Sequence, residues 1–587
     1  MNNNLLKRTA AVILASALIG CSTGSAVPSA TPTAGSTDTS FSATFFDAEQ
    51  STSGDDLKQL TSLTEDTYET SCWRNDTVIV KAAVYNASDT SSVVAEAGDL
   101  TSSSGNTISK NQISIGRIQE VSATDFDSSK TVSVPDIITR DTSVQLTADS
   151  IVTWMIKVQI PSNTPAGTYT GMILFHDTAC SRPLTLTLHV QDLDLEDSSS
   201  MSLELWQYSY SSLRYYNFAQ AFSQAHVDYL SKELQLYKEA GGGTITASIT
   251  DEPWGHQTYD SYPSMIAWTR NADYSWSFDY TQFDTWVNTC MNAGISERIL
   301  SFSILPTYNR ILFDDQVTGQ QQTLYLDPGS DDWNTIWGLF LDSYISHLEE
   351  QGWFDITYMA IDEKDTASTQ AVIDLLDSHT NSNGDSLKLA VYMNQLPEDT
   401  SILDSIDEVS FAESVVEEDP SRLQKIADQR TEDGKITSMY TCTDQYPNSF
   451  TYSNPAESVW TVLYAKANHM TGFVRWALDA FNEDPFTTTD VDTYESGDTM
   501  LLYPGNDSTP YSSTRLELIA EGIRLVNKYE VLSQQVTDQS LLNTADDLMN
   551  AIANANVSKD HHDESLIEDQ VTVFRTLISS MEDSLNQ

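Results

Sequence analysis

Between Leu203 and Leu478 the chain alternates short apolar runs with longer amphipathic ones, and no other feature restricts its fold as tightly. The short runs are Leu203 to Trp206, Thr244 to Thr250, Arg298 to Leu305, Thr357 to Glu363, Lys388 to Asn394, Val409 to Ala412, Thr437 to Cys442 and Gly472 to Leu478. Their length and composition are those of strands inside a buried sheet. Helical segments separate them. Ala219 to Ala240 closes on Gly241-Gly242-Gly243, and Phe283 to Ala293 stops at Gly294, glycine being the residue that tolerates a left-handed cap. Trp333, Ile336, Trp337, Phe340, Leu341, Tyr344, Ile345 and Leu348 fall on one helical face that ends at Gly352. Ser421 to Arg430 and Ala456 to Ala467 continue the series. Eight such repeats predict an α/β fold, a (β/α)8 or TIM barrel, which gathers its functional side chains at the C-terminal ends of the strands.

The fourth run, Thr357-Tyr358-Met359-Ala360-Ile361-Asp362-Glu363, ends in two adjacent carboxylates. Placing two acids at the end of a buried strand costs desolvation free energy unless they have a task. Trp206, Trp254, Tyr440, Asn448, Arg475 and Trp476 also fall at or just beyond predicted strand ends. Indole faces stack on the C–H faces of pyranose rings, and Asn or Tyr hydrogen-bonds sugar hydroxyls. Taken singly, each fits a core role better than a site; their shared end of the barrel sets them apart. Arg475 is left with two roles, a contact to a hydroxyl or a buried salt bridge.

Residues 59–198 read as a β-sandwich. Leu184, Leu186, Leu188 and Val190 alternate with Thr185, Thr187, His189 and Gln191, a period of two that buries one face, and several such strands occur without helices. The barrel is assigned to 199–510 and a helical region packed on it to 511–587. At the other end, Lys7 and Arg8 precede an apolar run from Ala10 to Ile19 and the tetrad Leu18-Ile19-Gly20-Cys21. This resembles a bacterial lipoprotein signal, which implies removal of residues 1–20 and a lipid on Cys21. The run falls short of the roughly 20 residues that span a bilayer. The expected location is therefore the cell envelope, lipid-anchored and facing outside the cytoplasm, at the cell surface or in the periplasm. Residues 21–58, rich in Ser, Thr, Ala, Gly and Pro, read as a flexible tether.

A formal net charge of -54, from 84 acidic and 30 basic residues, excludes nucleic acid, whose phosphates require clustered Lys and Arg. It favours a neutral substrate. Cys72, Cys180, Cys290 and Cys442 are too widely spaced for a zinc motif, and a bridge between Cys72 and Cys180 is left open. His561-His562 lacks the spaced companions of a metal site and reads as surface.

Several segments resemble one known family. They are Leu203-Glu204-Leu205-Trp206-Gln207, Asp251 through Tyr259, Ile361-Asp362-Glu363, Tyr440-Thr441-Cys442, Pro447-Asn448-Ser449-Phe450, Gly472-Phe473-Val474-Arg475-Trp476, and Gly497-Asp498 through Tyr503-Pro504-Gly505. In this order they are similar to glycoside hydrolase family 123, over about Met201 to Glu530. The resemblance implies an exo-acting, retaining enzyme that removes terminal β-linked N-acetylgalactosamine from glycans or glycolipids, using the sugar's own 2-acetamido group as nucleophile and no metal or organic cofactor. It implies Glu363 as general acid/base and Asp362 as the residue that orients the acetamido group. An ionised Asp362 is expected to raise the pKa of Glu363. Trp206, Trp254, Tyr440, Asn448, Arg475 and Trp476 become candidate sugar contacts. Two alternatives stand beside this reading: a glycosidase for a different terminal sugar, and a glycan-binding lipoprotein without catalysis. The oligomeric state is not legible.

Overall fold

The computed structural model describes residues 41–585, apart from 53, 87–91, 126–127, 196–200 and 442. The signal segment, Cys21 and Cys442 lie outside the described residues. At its centre stand eight strands: β1 Ser202–Leu205, β2 Thr244–Ser248, β3 Arg298–Phe302, β4 Thr357–Asp362, β5 Lys388–Met393, β6 Glu408–Ala412, β7 Ile436–Thr441 and β8 Gly472–Arg475. All pair in parallel, each with its sequence neighbour from β2 to β8, and β8 pairs with β1. The predicted barrel is present. The strands β2, β3 and β8 end two or three residues earlier than their apolar runs.

Closure between β1 and β2 is made differently from the rest. A single backbone bridge joins Leu203 to Gly242, and side chains supply the other bonds. The Tyr237 hydroxyl donates to the Leu203 carbonyl (3.0 Å) and accepts from the Leu205 amide (3.2 Å). The Gln207 carboxamide accepts from the Thr246 amide at 2.8 Å. Gly242 is required beneath this seam, since a Cβ there would lie 2.1 Å from the Tyr237 ring.

The crossover helices are α1 Gln224–Glu239, α2 Thr281–Asn292, α3 Asp331–Gln351, α4 Thr366–Ser378, α5 Pro420–Glu432, α6 Pro455–Ala467 and α7 Thr514–Gln535. Between β5 and β6 only a 3-10 turn, Thr400–Ser405, crosses. Five of these helices, α3 to α7, start at a residue whose side chain accepts a backbone amide, and every one buries an apolar face. Ser330 accepts the Trp333 amide at the start of α3, and Gly352 ends it with φ +75°. Helix α1 starts at Gln224, five residues later than its periodicity suggests, because Phe222 adopts φ +54° and Ser223 is extended.

The N-terminal region is two stacked sheets, one carrying Thr77–Tyr85, Ile151–Gln159, Ile113–Thr124 and Thr131–Ile138, the other Thr67–Arg74, Gly167–His176 and Ser181–Asp194. The stretch read as a tether holds a strand of the first sheet, Ser42–Phe46. Its Phe41, Phe45 and Phe46 are buried, an anchor that the surrounding Ser and Thr disguise in the sequence. A hairpin after the barrel, Leu502–Tyr503 and Tyr511–Ser513, extends the same sheet. There buried Asp136 pairs with Arg515 at 2.9 Å and accepts from Tyr503 (2.6 Å) and Thr514 (2.7 Å), which welds sandwich to barrel. Cys72 and Cys180 are both free thiols. No described helix is long and apolar enough to cross a membrane.

Candidate active site

Along a strand, consecutive side chains point to opposite faces, so Asp362 and Glu363 would ordinarily diverge. At the end of β4 the backbone of Glu363 takes φ +48°, a conformation uncommon outside glycine and concentrated at functional sites. That twist breaks the alternation and turns both carboxyls into one cavity of about 380 Å³ at the barrel mouth. The Glu363 amide is held by the Tyr392 carbonyl at 3.0 Å. Its carboxylate is held at both oxygens: the Tyr440 hydroxyl donates to Oε1 at 2.6 Å and Asn394 Nδ2 donates to Oε2 at 2.9 Å.

Asp362 is the more deeply set of the two. Burial and the neighbouring Glu363 charge push its carboxyl up to about 7, against a smaller downward pull from Lys364. On Asp362 the Glu363 charge acts in the same upward direction as burial, which is the larger cause.

Trp206, Tyr440 and Trp476 line the same cavity. Trp206 Nε1 donates at 2.7 Å to buried Glu204, to which the Tyr392 hydroxyl also donates. Glu204 is pushed up to about 7 by burial and by the nearby Glu408 charge. Trp254 stacks behind Trp206, ring centroids 5.3 Å apart, and is not among the cavity-lining residues. Asn448 and Arg475 are fully buried and form the support for Trp476. Asp498 accepts from Arg475 Nη2 and from Trp476 Nε1, both at 2.9 Å, while Arg475 Nη1 donates to Asn448 Oδ1. Of the two roles left open for Arg475, the one present is the buried salt bridge, with Asp498 as partner. Three of the segments singled out in the sequence, around Asn448, Arg475 and Asp498, meet in this one network.

A family model of the glycoside hydrolase 123 catalytic domain matches residues 206–532. The chain belongs to glycoside hydrolase family 123. The model of the family 123 N-terminal domain matches residues 54–177. Among solved structures, a family 123 glycoside hydrolase from Clostridium perfringens, described for glycolipid glycan hydrolysis, is 30% identical with a TM-score of 0.86, and the match covers 93% of this chain and 99% of that one. A glycoside hydrolase assigned in Bacteroides vulgatus shares 10% identity over 80% of this chain and 79% of its own, with a TM-score of 0.33. An endo-β-1,4-mannanase from Thermotoga petrophila shares 12% over 57% and 77%, also with a TM-score of 0.33. No curated protein matches the chain.

This family 123 cavity also contains residues that the sequence reading passed over. Tyr392 and Asn394 come from the end of β5, Gln257 and Tyr494 from loops. Asn394 follows the same strand-end rule that found the acids and was accessible to it. Gln257 lies within the Asp251 to Tyr259 segment but was not named as a candidate, and Tyr494, in a segment without periodicity, declares itself only by its edge contact to Trp476, centroids 5.1 Å apart.

Proposed function

We propose that this glycoside hydrolase is an exo-acting, retaining enzyme that releases terminal β-linked N-acetylgalactosamine by substrate-assisted catalysis. The observation that carries the reading is the adjacent pair Asp362 and Glu363, lining one cavity from a single strand end. The usual retaining pair flanks the glycosidic bond from opposite faces, about 5 Å apart, with one carboxylate as nucleophile. Two neighbouring residues of one strand end suit a different division of labour. The acetamido carbonyl oxygen attacks C1 as the glycosidic C1–O bond breaks, its electron pair leaving with the aglycone oxygen, which takes the Glu363 proton. Ionised Asp362 accepts the acetamido N–H and stabilises the positive charge developing on the oxazolinium ring. Water then attacks C1, gives its proton to the Glu363 carboxylate and reopens the ring. Two inversions leave the configuration retained. Trp206 and Trp476 supply apolar faces for the sugar, Tyr440 and Asn394 hold Glu363, and Arg475 and Asn448 position Trp476. A glycolipid substrate is supported by the Clostridium perfringens relative, whose structure concerns glycolipid glycans.

A panel of aryl glycosides tests the reading. Hydrolysis is expected for the β-N-acetylgalactosaminide, with inhibition by a thiazoline that mimics the cyclised acetamido group. Turnover of glycosides lacking the acetamido group at comparable rates would remove the mechanism.

The same reading places the enzyme at the cell envelope through a lipid on Cys21, on the strength of Leu18-Ile19-Gly20-Cys21 after a short apolar run. Metabolic labelling with a fatty acid is expected to mark the protein and to fail in Cys21→Ser. A Cys21→Ser protein that still carries label would refute the anchor.

A further inference from the structure

The cavity that holds Asp362 and Glu363 shares a wall with a second cavity, of about 340 Å³. The wall is Asp444-Gln445, in the loop after β7, and neither acid lines the chamber behind it. Two side chains from outside the barrel bracket this wall. The loop between the last two helices, Gln539–Ala553 and Glu564–Leu585, makes a tight turn in which Ser558 and His561 exchange both backbone hydrogen bonds, at 3.1 and 2.9 Å. The turn holds out Lys559, which forms an ion pair with Asp444, and leads into His562, whose ring lies flat on Tyr446 with centroids 3.7 Å apart. Gln445 is thus gripped at both of its chain neighbours. From within the barrel, the Asp444 amide donates to Glu495 at 2.9 Å and Asn448 Nδ2 donates to the Gln445 carbonyl at 3.2 Å. Those bonds hold the backbone; the C-terminal turn holds the side chains.

We infer that the C-terminal turn sets the size limit of the sugar site: Lys559 and His562 are positioning residues that keep the Asp444-Gln445 wall shut, so that a sugar already substituted on that side is refused. C1 of the bound sugar must face Glu363, and the oxygens that carry further sugars, O3, O4 and O6, stand away from C1. A chain growing from them meets the wall. The chamber behind is large enough for one more ring, so refusal depends on the wall staying closed. The turn lies beyond the segment that matches the family's catalytic domain, and it gives exposed His562 a task that its sequence context does not display. This inference rests on the exo-glycosidase reading above.

The test uses the full-length enzyme on 4-nitrophenyl β-N-acetylgalactosaminide and on the same aryl glycoside carrying a β-linked galactose at O3, O4 or O6. Wild-type enzyme is expected to release nitrophenol from the substituted substrates on the order of a hundredfold more slowly than from the plain one. In Lys559→Ala/His562→Ala the kcat/KM ratio of at least one substituted substrate to the plain one is expected to rise about tenfold, the scale on which a pocket wall discriminates. Lys559→Arg/His562→Phe, which keeps a cation and a flat ring, is expected to show the wild-type ratio. A ratio within twofold of wild type for all three substituted substrates, including a loss of all activities together as from a merely structural role, overturns the inference. Both residues are exposed, so the alanine variant is expected to fold, which thermal unfolding checks. If it does not fold, Gln445→Gly, which thins the wall itself, decides: a rise in the ratio supports the wall and its absence overturns it. A rise in Gln445→Gly with none in a folded alanine variant overturns the part given to the C-terminal turn. Wild-type enzyme that cleaves plain and substituted substrates alike also overturns the inference and leaves the glycosidase standing. Cleavage of none of the four would instead remove the glycosidase reading, and this inference with it.

Discussion

Glu363→Gln is expected to lower kcat/KM, which reports the cleavage step alone, on a β-linked disaccharide by on the order of 10³, the contribution of a positioned general acid. The loss should shrink sharply on a dinitrophenyl glycoside, whose leaving group departs without a proton. The side chain has nearly the same shape as glutamate, so the Tyr440 hydroxyl keeps an oxygen to donate to, but the amide that replaces Oε2 faces the Asn394 Nδ2 donor. What disappears is the transferable proton and one hydrogen bond. Steady-state rates across leaving groups of graded acidity make the check. An equal loss on every leaving group, or survival of activity on the disaccharide, would show that the proton comes from elsewhere.

Asp362→Asn should lower kcat/KM by on the order of 10², as removal of a preorganised charge partner does, and should also change the pH profile. In the free enzyme the Asp362 carboxyl sits near 7. Its ionised form accepts the acetamido N–H with a full negative charge, whereas its protonated form offers only a neutral acceptor oxygen and no longer balances the charge on the oxazolinium ring. In the active form Glu363 carries the proton and no longer adds its charge to the upward push on Asp362. The acid limb of kcat/KM therefore lies below about pH 7, where activity falls as Asp362 takes up its proton. The need for a proton on Glu363 lowers activity again at high pH. In the asparagine variant this acid limb should vanish while a residual, flatter profile remains. Since the neighbouring carboxyls influence each other, the limb belongs to the pair. An unaltered limb in Asp362→Asn would place the ionisation on another residue, buried Glu204 being the nearest alternative with a similar displacement.

Much of the fold is written in local pattern. The barrel strands are buried on both faces, so their composition alone marks them, and five of the seven crossover helices carry their own N-caps. The acids were visible because charge at the end of an apolar strand is costly. What sequence does not display is which way a strand-end side chain finally points. Trp206, Trp254, Arg475 and Trp476 have the same chemistry in the sequence whether they touch sugar or one another. Only the chain's path beyond each strand decides that Trp206 and Trp476 line the cavity while Trp254 and Arg475 stand behind them. The left-handed backbone at Glu363 is equally silent, since nothing in Asp362-Glu363-Lys364 demands it. Phe41, Phe45 and Phe46 illustrate the converse: a polar composition window outweighed three aromatic anchors.

The side-chain clasp between β1 and β2 bears on the order in which the molecule takes shape. The only backbone ladder of β1 is with β8, where Leu203 lies beside Phe473. Tying ends about 270 residues apart costs about 5 kcal/mol in chain entropy before any reward. A nascent chain holding β1 through β7 thus has no ladder on which to seat its first strand. Until Gly472–Arg475 has been made, only the side-chain clasp to β2 seats that strand and Trp206 at its tip. The strand that carries the two acids has both of its ladder partners, β3 and β5, far earlier in the chain, so the acids have a seat before Trp206 has its own, and Tyr440 joins them only with β7.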